Sequence, residues 1–303
     1  MSPRARVYAV VALAAGATVA AVVGLTLWQT RGESTGTTAR KGAPPLELAV
    51  SGPLAQAAKL YKAGKRAQAA AIFGRYDSLP AQIGLAFSRW SDHSLDTVKR
   101  LVAANPRSAL AELHLGLAYF WAGRDVDAAT AWRRAAAVGP DTTYAISALD
   151  LLHPNVAPGL PPIVADLAAV TPAARAHLGR GIALWDSWRT LSARRELAAA
   201  AAAAPRDPVV RTAAAVAAFS PARPLAPFPL LGPLTAAHPK AAVVRLHLGL
   251  LLLWTRQVKK GDAQLRLAIA DDEPVPYPDF TRRRPAVDFD CYIVYHFYPH
   301  HSR

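Results

Sequence analysis

The sequence predicts an all-α protein with one N-terminal transmembrane helix. The chain has 303 residues and is 52% hydrophobic, so it is long enough to bury a substantial core. Alanine dominates the apolar residues and is unbroken over residues 198–204, and alanine is the strongest helix former. Segments rich in Val, Ile and Thr that would indicate strands are scarce. An uncharged N-terminal run and regularly spaced Pro and Gly residues complete the prediction.

Residues 7–28 form the uncharged run, which begins at Val7 and ends at Trp28. As a helix this run is about 33 Å long, enough to cross a hydrocarbon core of about 30 Å. The alternatives are a cleaved signal peptide and a soluble core helix. A signal peptide has a shorter apolar region and a small-residue cleavage site, whereas Leu27-Trp28-Gln29 suits cleavage poorly. We therefore expect an uncleaved, single-pass membrane anchor.

The orientation of this anchor is less sharply specified, because basic residues lie on both sides of it: Arg4, Arg6, Arg31, Arg40 and Lys41. The positive-inside rule is therefore nearly balanced. The short basic tail, residues 1–6, fits a signal anchor with its amino end in the cytoplasm. We expect the main body to be extracytoplasmic.

Composition divides the rest of the chain into segments. Residues 29–50 are rich in Thr, Gly, Ser and Pro, which is typical of a flexible or extended tether. Residues 51–152 and 173–275 have helical patterns, and the Pro-rich residues 153–172 between them predict a bend. Residues 276–303 form an atypical tail, rich in aromatic residues and histidine, for which disorder or a short edge strand is expected.

Internal repetition appears at a period near 34 residues. Pro106 and Pro140 are 34 positions apart, as are Pro205 and Pro239. Two nearly identical strings, LHLGLAYFW at 113–121 and LHLGLLLLW at 246–254, lie about four such periods apart. A period of this length is typical of stacked helix pairs.

The clearest repeat covers residues 109–142 and has this pattern: Leu115, Gly116, Tyr119, Gly123, Ala128, Trp132, Ala135 and Pro140. Small residues at 116 and 128 would let two helices approach closely. Aromatic residues at 119 and 132 would fill the space between helix pairs. A glycine suits the tight turn, and a proline cannot continue a helix. Weaker copies extend over about residues 54–274, and in one of them either Gly179 or Gly181 could be the first-helix glycine.

This pattern resembles the tetratricopeptide repeat (TPR), and the chain is similar to membrane-anchored TPR proteins of bacterial, actinobacterial-like type. The resemblance implies a TPR-like α-solenoid of antiparallel helix pairs. In that family, first helices line a groove that contacts partner peptides. The positions carried over are Leu110, Leu113, Leu117, Phe120, Trp121, Trp185, Val243, Leu246, Leu250, Leu253 and Trp254.

These groove positions are unusually apolar, and two interpretations stay open. They could hold a hydrophobic peptide or helix, or they could be buried on both sides by neighbouring helices. The Lys and Asn set of the carboxylate-clamp TPRs is not found, so binding of acidic peptide tails is not expected.

Histidines precede a Leu-Gly pair at His114, His177 and His247. They lie too far apart in the chain to share a metal at bond lengths near 2.0–2.1 Å. We interpret them as first-helix packing residues with a polar tip. Six potential ligands in the tail fit no standard zinc spacing: Asp288, Asp290, Cys291, His296, His300 and His301. We predict no metal and no cofactor.

Function is predicted from the anchor and the repeats. No nucleophile elbow, Walker loop, zinc-protease motif or dinucleotide fingerprint is found, so catalysis is not expected. We predict a membrane-tethered scaffold for protein–protein interaction, in envelope assembly or quality control. The net charge of +14 leaves an alternative, a basic surface that binds nucleic acid or anionic lipid, although no nucleic-acid-binding signature accompanies it. An envelope enzyme without a recognisable motif is the second alternative.

Overall fold

The computed structural model describes residues 39–91 and 93–271. These residues form thirteen α-helices, one short 3-10 turn and no strand, so the predicted all-α class is confirmed. No helix among them is long and apolar enough to cross a membrane. The predicted anchor at 7–28 and the tail at 276–303 lie outside the described residues.

The helices occur in two series. The first series is α1 Gly52–Lys62, α2 Arg66–Phe73, α3 Leu79–Ser88, α4 Ser94–Ala104, α5 Ala109–Trp121, α6 Asp125–Val138 and α7 Thr143–Leu152. The second is α8 Pro172–Asp186, α9 Thr190–Ala203, α10 Pro208–Val216, α11 Phe228–Ala237, α12 Ala242–Trp254 and α13 Val258–Asp271.

Consecutive helices pack as antiparallel pairs. A Cβ added to Gly249 of α12 would lie 2.8 Å from the Leu265 side chain of α13. A Cβ added to Gly261 of α13 would lie 2.9 Å from the Leu253 side chain. Moving four residues forward along α12 therefore means moving four residues back along α13. Such an approach requires glycine, because any side chain would push the helices apart.

The turns within four helix pairs share one geometry, a residue in the left-handed region just after the first helix. These residues are Gly64 (φ 75°), Gly123 (φ 77°), Trp188 (φ 60°) and Arg256 (φ 58°). In each turn the next N–H bonds to a carbonyl five residues back, as from Arg124 to Tyr119 at 2.9 Å. This is the hydrogen bond of a Schellman motif. The role predicted for Gly123 is thereby confirmed.

The turn residue fixes the register of the repeats. Gly116 and Gly181 each precede their turn residue by seven positions, and each lies against the second helix of its pair. A Cβ on Gly116 would overlap the Trp132 indole, and one on Gly181 would lie 2.6 Å from Leu197. Gly179 approaches no second helix, since its nearest neighbour is Leu167 at 3.6 Å. Gly181 is therefore the first-helix glycine.

Two hydrophobic cores lie on either side of α7. Ala148 of α7 belongs to the core shared with α1–α6, whereas Ile146 belongs to the core of the second series. A helix with apolar side chains on both faces is buried on both faces. The single helix α7 thus joins the two series of helices.

Two extended segments accompany the helices, and we call them strap 1 (residues 40–50) and strap 2 (residues 154–165). Strap 1 lies in the predicted tether, and strap 2 lies in the predicted Pro-rich interruption. Neither has a helical period, and the composition gave no indication that either would pack on the helices. Both do so through buried side chains at alternate positions: Pro44, Leu46, Pro161 and Ile163.

Candidate functional site

Strap 1 lies across α1 and α5 and is held by its main chain. The N–H of Arg40 donates to the carbonyl of Trp121 at 2.8 Å. The N–H of Glu47 donates to Nε2 of His114 at 3.2 Å, and the hydroxyl of Tyr61 donates to the carbonyl of Pro44. Strap 1 therefore runs antiparallel to α5, and we call the surface of α1 and α5 beneath it groove 1.

Strap 2 repeats these three bonds on α8 and α12, whose surface we call groove 2. The N–H of Ala157 donates to the carbonyl of Trp254 at 2.8 Å. The N–H of Val164 donates to Nε2 of His247 at 2.9 Å. The indole N–H of Trp185 donates to the carbonyl of Pro161 at 2.8 Å.

The two straps are equivalent position by position. Each strap 2 residue lies 117 positions after its strap 1 equivalent, and the helix partners at Trp121 and His114 recur 133 positions later. Gly42 and Gly159 both have positive φ, at 83° and 74°. Both straps continue with one residue, two prolines and an aliphatic side chain. The strap and its groove therefore form one structural unit that occurs twice.

The histidine in each groove is neutral. The Nδ1 atoms of His114 and His247 lie 2.7 Å from the carbonyls of Leu110 and Val243, four residues earlier. Because a carbonyl can only accept, Nδ1 carries the hydrogen and Nε2 is left to accept the N–H of the strap. Burial lowers the pKa of both rings from 6.5 to about 4, since a charged imidazole would lose its hydration.

Six of the eleven residues predicted to line a partner groove are buried. Leu113 and Leu117 are fully buried, and they share the first core with Leu46 of strap 1. The other buried positions are Leu110, Trp185, Leu250 and Trp254. The positions that remain partly exposed are Phe120, Trp121, Val243, Leu246 and Leu253.

Arg40 closes one end of groove 1. Its guanidinium carbon lies 3.3 Å from the ring centroid of Phe120, a distance at which cation–π attraction operates. Its Nη1 atom also donates to the Phe120 carbonyl and lies 3.1 Å from an Asp125 carboxylate oxygen. A predicted groove residue, Phe120, is thus covered by a residue of the strap.

Two carboxyl groups are buried, Asp150 against strap 2 and Glu112 against α6. Asp150 of α7 accepts the N–H of Gly159 at 2.9 Å, and burial raises its pKa from 3.8 to about 8. Glu112 of α5 has no exposed side-chain surface and lies 3.0 Å from the guanidinium of Arg134. Burial also raises the pKa of Glu112, and the charge of Arg134 opposes this rise.

His177 does not share the role of the other two histidines. It precedes its turn residue, Trp188, by eleven positions, whereas His114 and His247 precede theirs by nine. It therefore lies on another face of its helix, where Nδ1 is 2.8 Å from the Glu196 carboxylate. Arg180 binds the same carboxylate at 3.0 Å. Within 39–91 and 93–271 no three potential metal ligands form a cluster.

Sequence reasoning missed Tyr61, Gly42, Gly159 and both straps as parts of one arrangement. The available signal was the string Gly-x-Pro-Pro-aliphatic, which occurs at 42–46 and again at 159–163. Its separation of 117 differs from the 133 that separates the two LHLG strings, so a search for one fixed period does not reveal it.

Neither the protein-family models nor the curated proteins include a match to this chain.

Proposed function

We propose that this chain is a membrane-tethered, TPR-like scaffold for protein–protein interaction, serving envelope assembly or quality control. In this proposal groove 1 binds an extended stretch of a partner polypeptide. The observation that carries it is the pair of straps, two different sequences held on two equivalent surfaces by the same three bonds. Surfaces that hold extended chains by the main chain are suited to peptide recognition.

The repeat assignment is supported by the motif residues and their contacts. The antiparallel pairs, the turn at Gly123 and the approach of Gly116 to Trp132 are those that stacked TPR units require. The membrane assignment is supported by the uncharged run at 7–28. The scaffold would present its grooves close to a membrane surface.

The chemistry of the groove favours binding over catalysis. Each groove offers a carbonyl at a helix end, a neutral imidazole acceptor and one side-chain donor, all directed at backbone atoms of the strap. Hydrogen bonds of this kind contribute about 1 kcal/mol each, and burial of one aliphatic side chain contributes about 1.5–3 kcal/mol. The contacts suit a reversible complex with a polypeptide.

The test is crosslinking followed by pull-down from membranes that contain the full chain. The variant Trp121→Ala removes a partly exposed side chain that the sequence predicts to line a partner groove, and Val126→Ala is its control, since Val126 on the neighbouring helix is 81% exposed. We expect one discrete partner that Trp121→Ala loses and Val126→Ala keeps, with helicity unchanged in both. A partner retained equally by both variants would remove groove 1 from the proposal.

A further inference from the structure

We propose that groove 1 is a self-occupied site, in which strap 1 competes with a partner segment of the same chemistry, Gly-x-Pro-Pro-aliphatic. This inference rests on the proposed function and specifies its ligand. We infer the sequence of the partner segment from the residues that the two straps share, because both straps are bound although the rest of their sequences differ.

The features shared by the straps define the requirement. Both have a glycine with positive φ, then a spacer residue, a buried proline, a second proline and a buried aliphatic side chain. The spacer is Ala43 in one strap and Leu160 in the other, and the residue after the aliphatic is Glu47 or Val164. These two positions differ between the straps in size and in charge, so we leave them out of the required pattern.

The hydrogen bonds set the remaining rules. His114 accepts a main-chain N–H at position 47, so a proline there would remove the donor. Of the Pro44 backbone, the groove uses the carbonyl, which accepts from Tyr61. A proline is therefore tolerated at that position, because the groove does not bind the N–H that proline lacks. It also holds the chain extended before binding, which reduces the entropy lost on ordering.

We assign the exchange to groove 1 because the two straps are connected to the helices differently. Strap 2 connects α7 to α8 through a short 3-10 turn at Leu167–Ala169, so its release would disturb helices at both of its ends. Both straps have contacts beyond the three shared bonds: Asp150 and Arg256 bind strap 2, and Asp125 and Tyr144 bind strap 1. Within the described residues, strap 1 is joined to a helix at its carboxyl end, where α1 begins at Gly52, and to none at its amino end.

Strap 1 competes with any added peptide for groove 1, and this competition limits the peptide binding that can be measured. A segment joined to its own site acts at an effective concentration in the millimolar range. A free peptide therefore binds the wild-type chain weakly, and it binds strongly only when the strap is weakened. Leu46 is 1% exposed, so Leu46→Asp would weaken strap 1 by placing a charge against the core.

The experiment measures fluorescence anisotropy of a labelled peptide with the sequence of residues 39–50, added to the full chain in detergent. The chains are wild type, Leu46→Asp, and the matched control Ala49→Asp, which adds the same charge at an exposed position of the strap. We expect Leu46→Asp to bind the peptide at least tenfold more tightly than the other two chains. A peptide N-methylated at the position of Glu47 should bind about tenfold more weakly, because it lacks the N–H that His114 accepts.

A Leu46→Asp chain that keeps its helicity and melting temperature but binds no peptide would overturn the inference. Equal binding of the plain and N-methylated peptides would also overturn it. If Leu46→Asp fails to fold, hydrogen exchange at the Glu47 amide of the wild-type chain decides the question. Excess peptide should accelerate that exchange if it displaces strap 1, and unchanged exchange at millimolar peptide contradicts the inference.

These outcomes are separate from those of the membrane pull-down. Peptide binding without a cellular partner would contradict the proposed scaffold function and leave the groove specificity standing. A partner that depends on Trp121, combined with no peptide binding, would support the scaffold and remove the proposed ligand chemistry.

Discussion

His114 and His247 occupy equivalent positions and make equivalent hydrogen bonds. Each lies 2.7 Å from the carbonyl four residues earlier in its helix, and each accepts an N–H from an extended segment of the same chain. An imidazole can serve both partners only while it is neutral. The attachment of both straps is therefore tied to the protonation state of two buried rings.

The first prediction concerns the loss of stability in acid. The pKa of His114 is about 4 in the folded chain and near 6.5 when unfolded. As pH falls from 6.5 to 4, the unfolded state binds a proton that the folded state does not, so stability falls in that window. Between pH 7 and pH 5 the loss from this one ring is about 2 kcal/mol.

Denaturant unfolding of wild type and His114→Gln at pH 7 and pH 5 measures this effect. His114→Gln should be less stable at pH 7 but should lose about 2 kcal/mol less on acidification. Comparing the two chains cancels the contributions of other titrating groups, apart from Glu47, which lies beside the ring in strap 1. Identical pH dependence in the two chains would count against a buried neutral His114.

The second prediction has the opposite sign and concerns Asp150. Its folded pKa is about 8, well above the usual 3.8, so the folded state retains a proton that the unfolded state loses. Stability from this group is present below pH 3.8 and is lost as pH rises towards 8. The Asp150→Asn chain should therefore lose about 3 kcal/mol less than wild type between pH 6 and pH 9, in denaturant titrations at the two pH values. Parallel curves would contradict a protonated Asp150.

The third prediction compares two turn positions. Gly64 has a φ of 75° and open space around a Cβ, so Gly64→Ala should cost about 1 kcal/mol through backbone strain alone. Arg256 has a φ of 58° although it is not a glycine, so Arg256→Gly should relieve strain and raise the melting temperature. Loss of the hydrogen bond from Arg256 to the Pro154 carbonyl should reduce this gain slightly. Thermal unfolding of both variants measures this. A stabilising Gly64→Ala would refute the strain argument.

The fourth prediction concerns helix approach. Gly116→Ala would force a methyl group into the Trp132 indole and should cost about 1–3 kcal/mol. Gly232 is the control, since it lies within α11 and a Cβ there meets nothing within 4 Å. Gly232→Ala should be neutral or stabilise the chain by about 0.5–1 kcal/mol. Melting temperatures that change equally in both variants would contradict the close packing of α5 on α6.

The helix pairs could be predicted because they depend on short-range rules. Gly123 marks a turn and Gly116 faces Trp132, and both roles follow from spacing within one repeat. The same rules did not distinguish Gly179 from Gly181 as the first-helix glycine. The turn residue of that pair is Trp188, not a glycine, so the sequence did not show where the turn lies. For the same reason, the sequence did not show that His177 lies on a different helix face from His114 and His247.

The straps could not be predicted from periodicity, because an extended chain rich in proline has neither a helical nor a strand period. Leu46 shares its core with Leu113 of α5, a helix distant in sequence, and nothing local to residues 40–50 indicates that contact. The predicted groove residues were drawn from the helices alone. Leu113 and Leu117 could therefore be identified as apolar, but the strap residue Leu46, which shares their core, could not.

Helix α7 connects the two straps. The hydroxyl of Tyr144, at its start, accepts the N–H of Ala49 at 3.3 Å, and Asp150, near its end, accepts the N–H of Gly159. One short helix thus touches an extended segment at each end. A substitution that shifts α7 would therefore act on both straps, because each of them donates an N–H to a side chain of this helix.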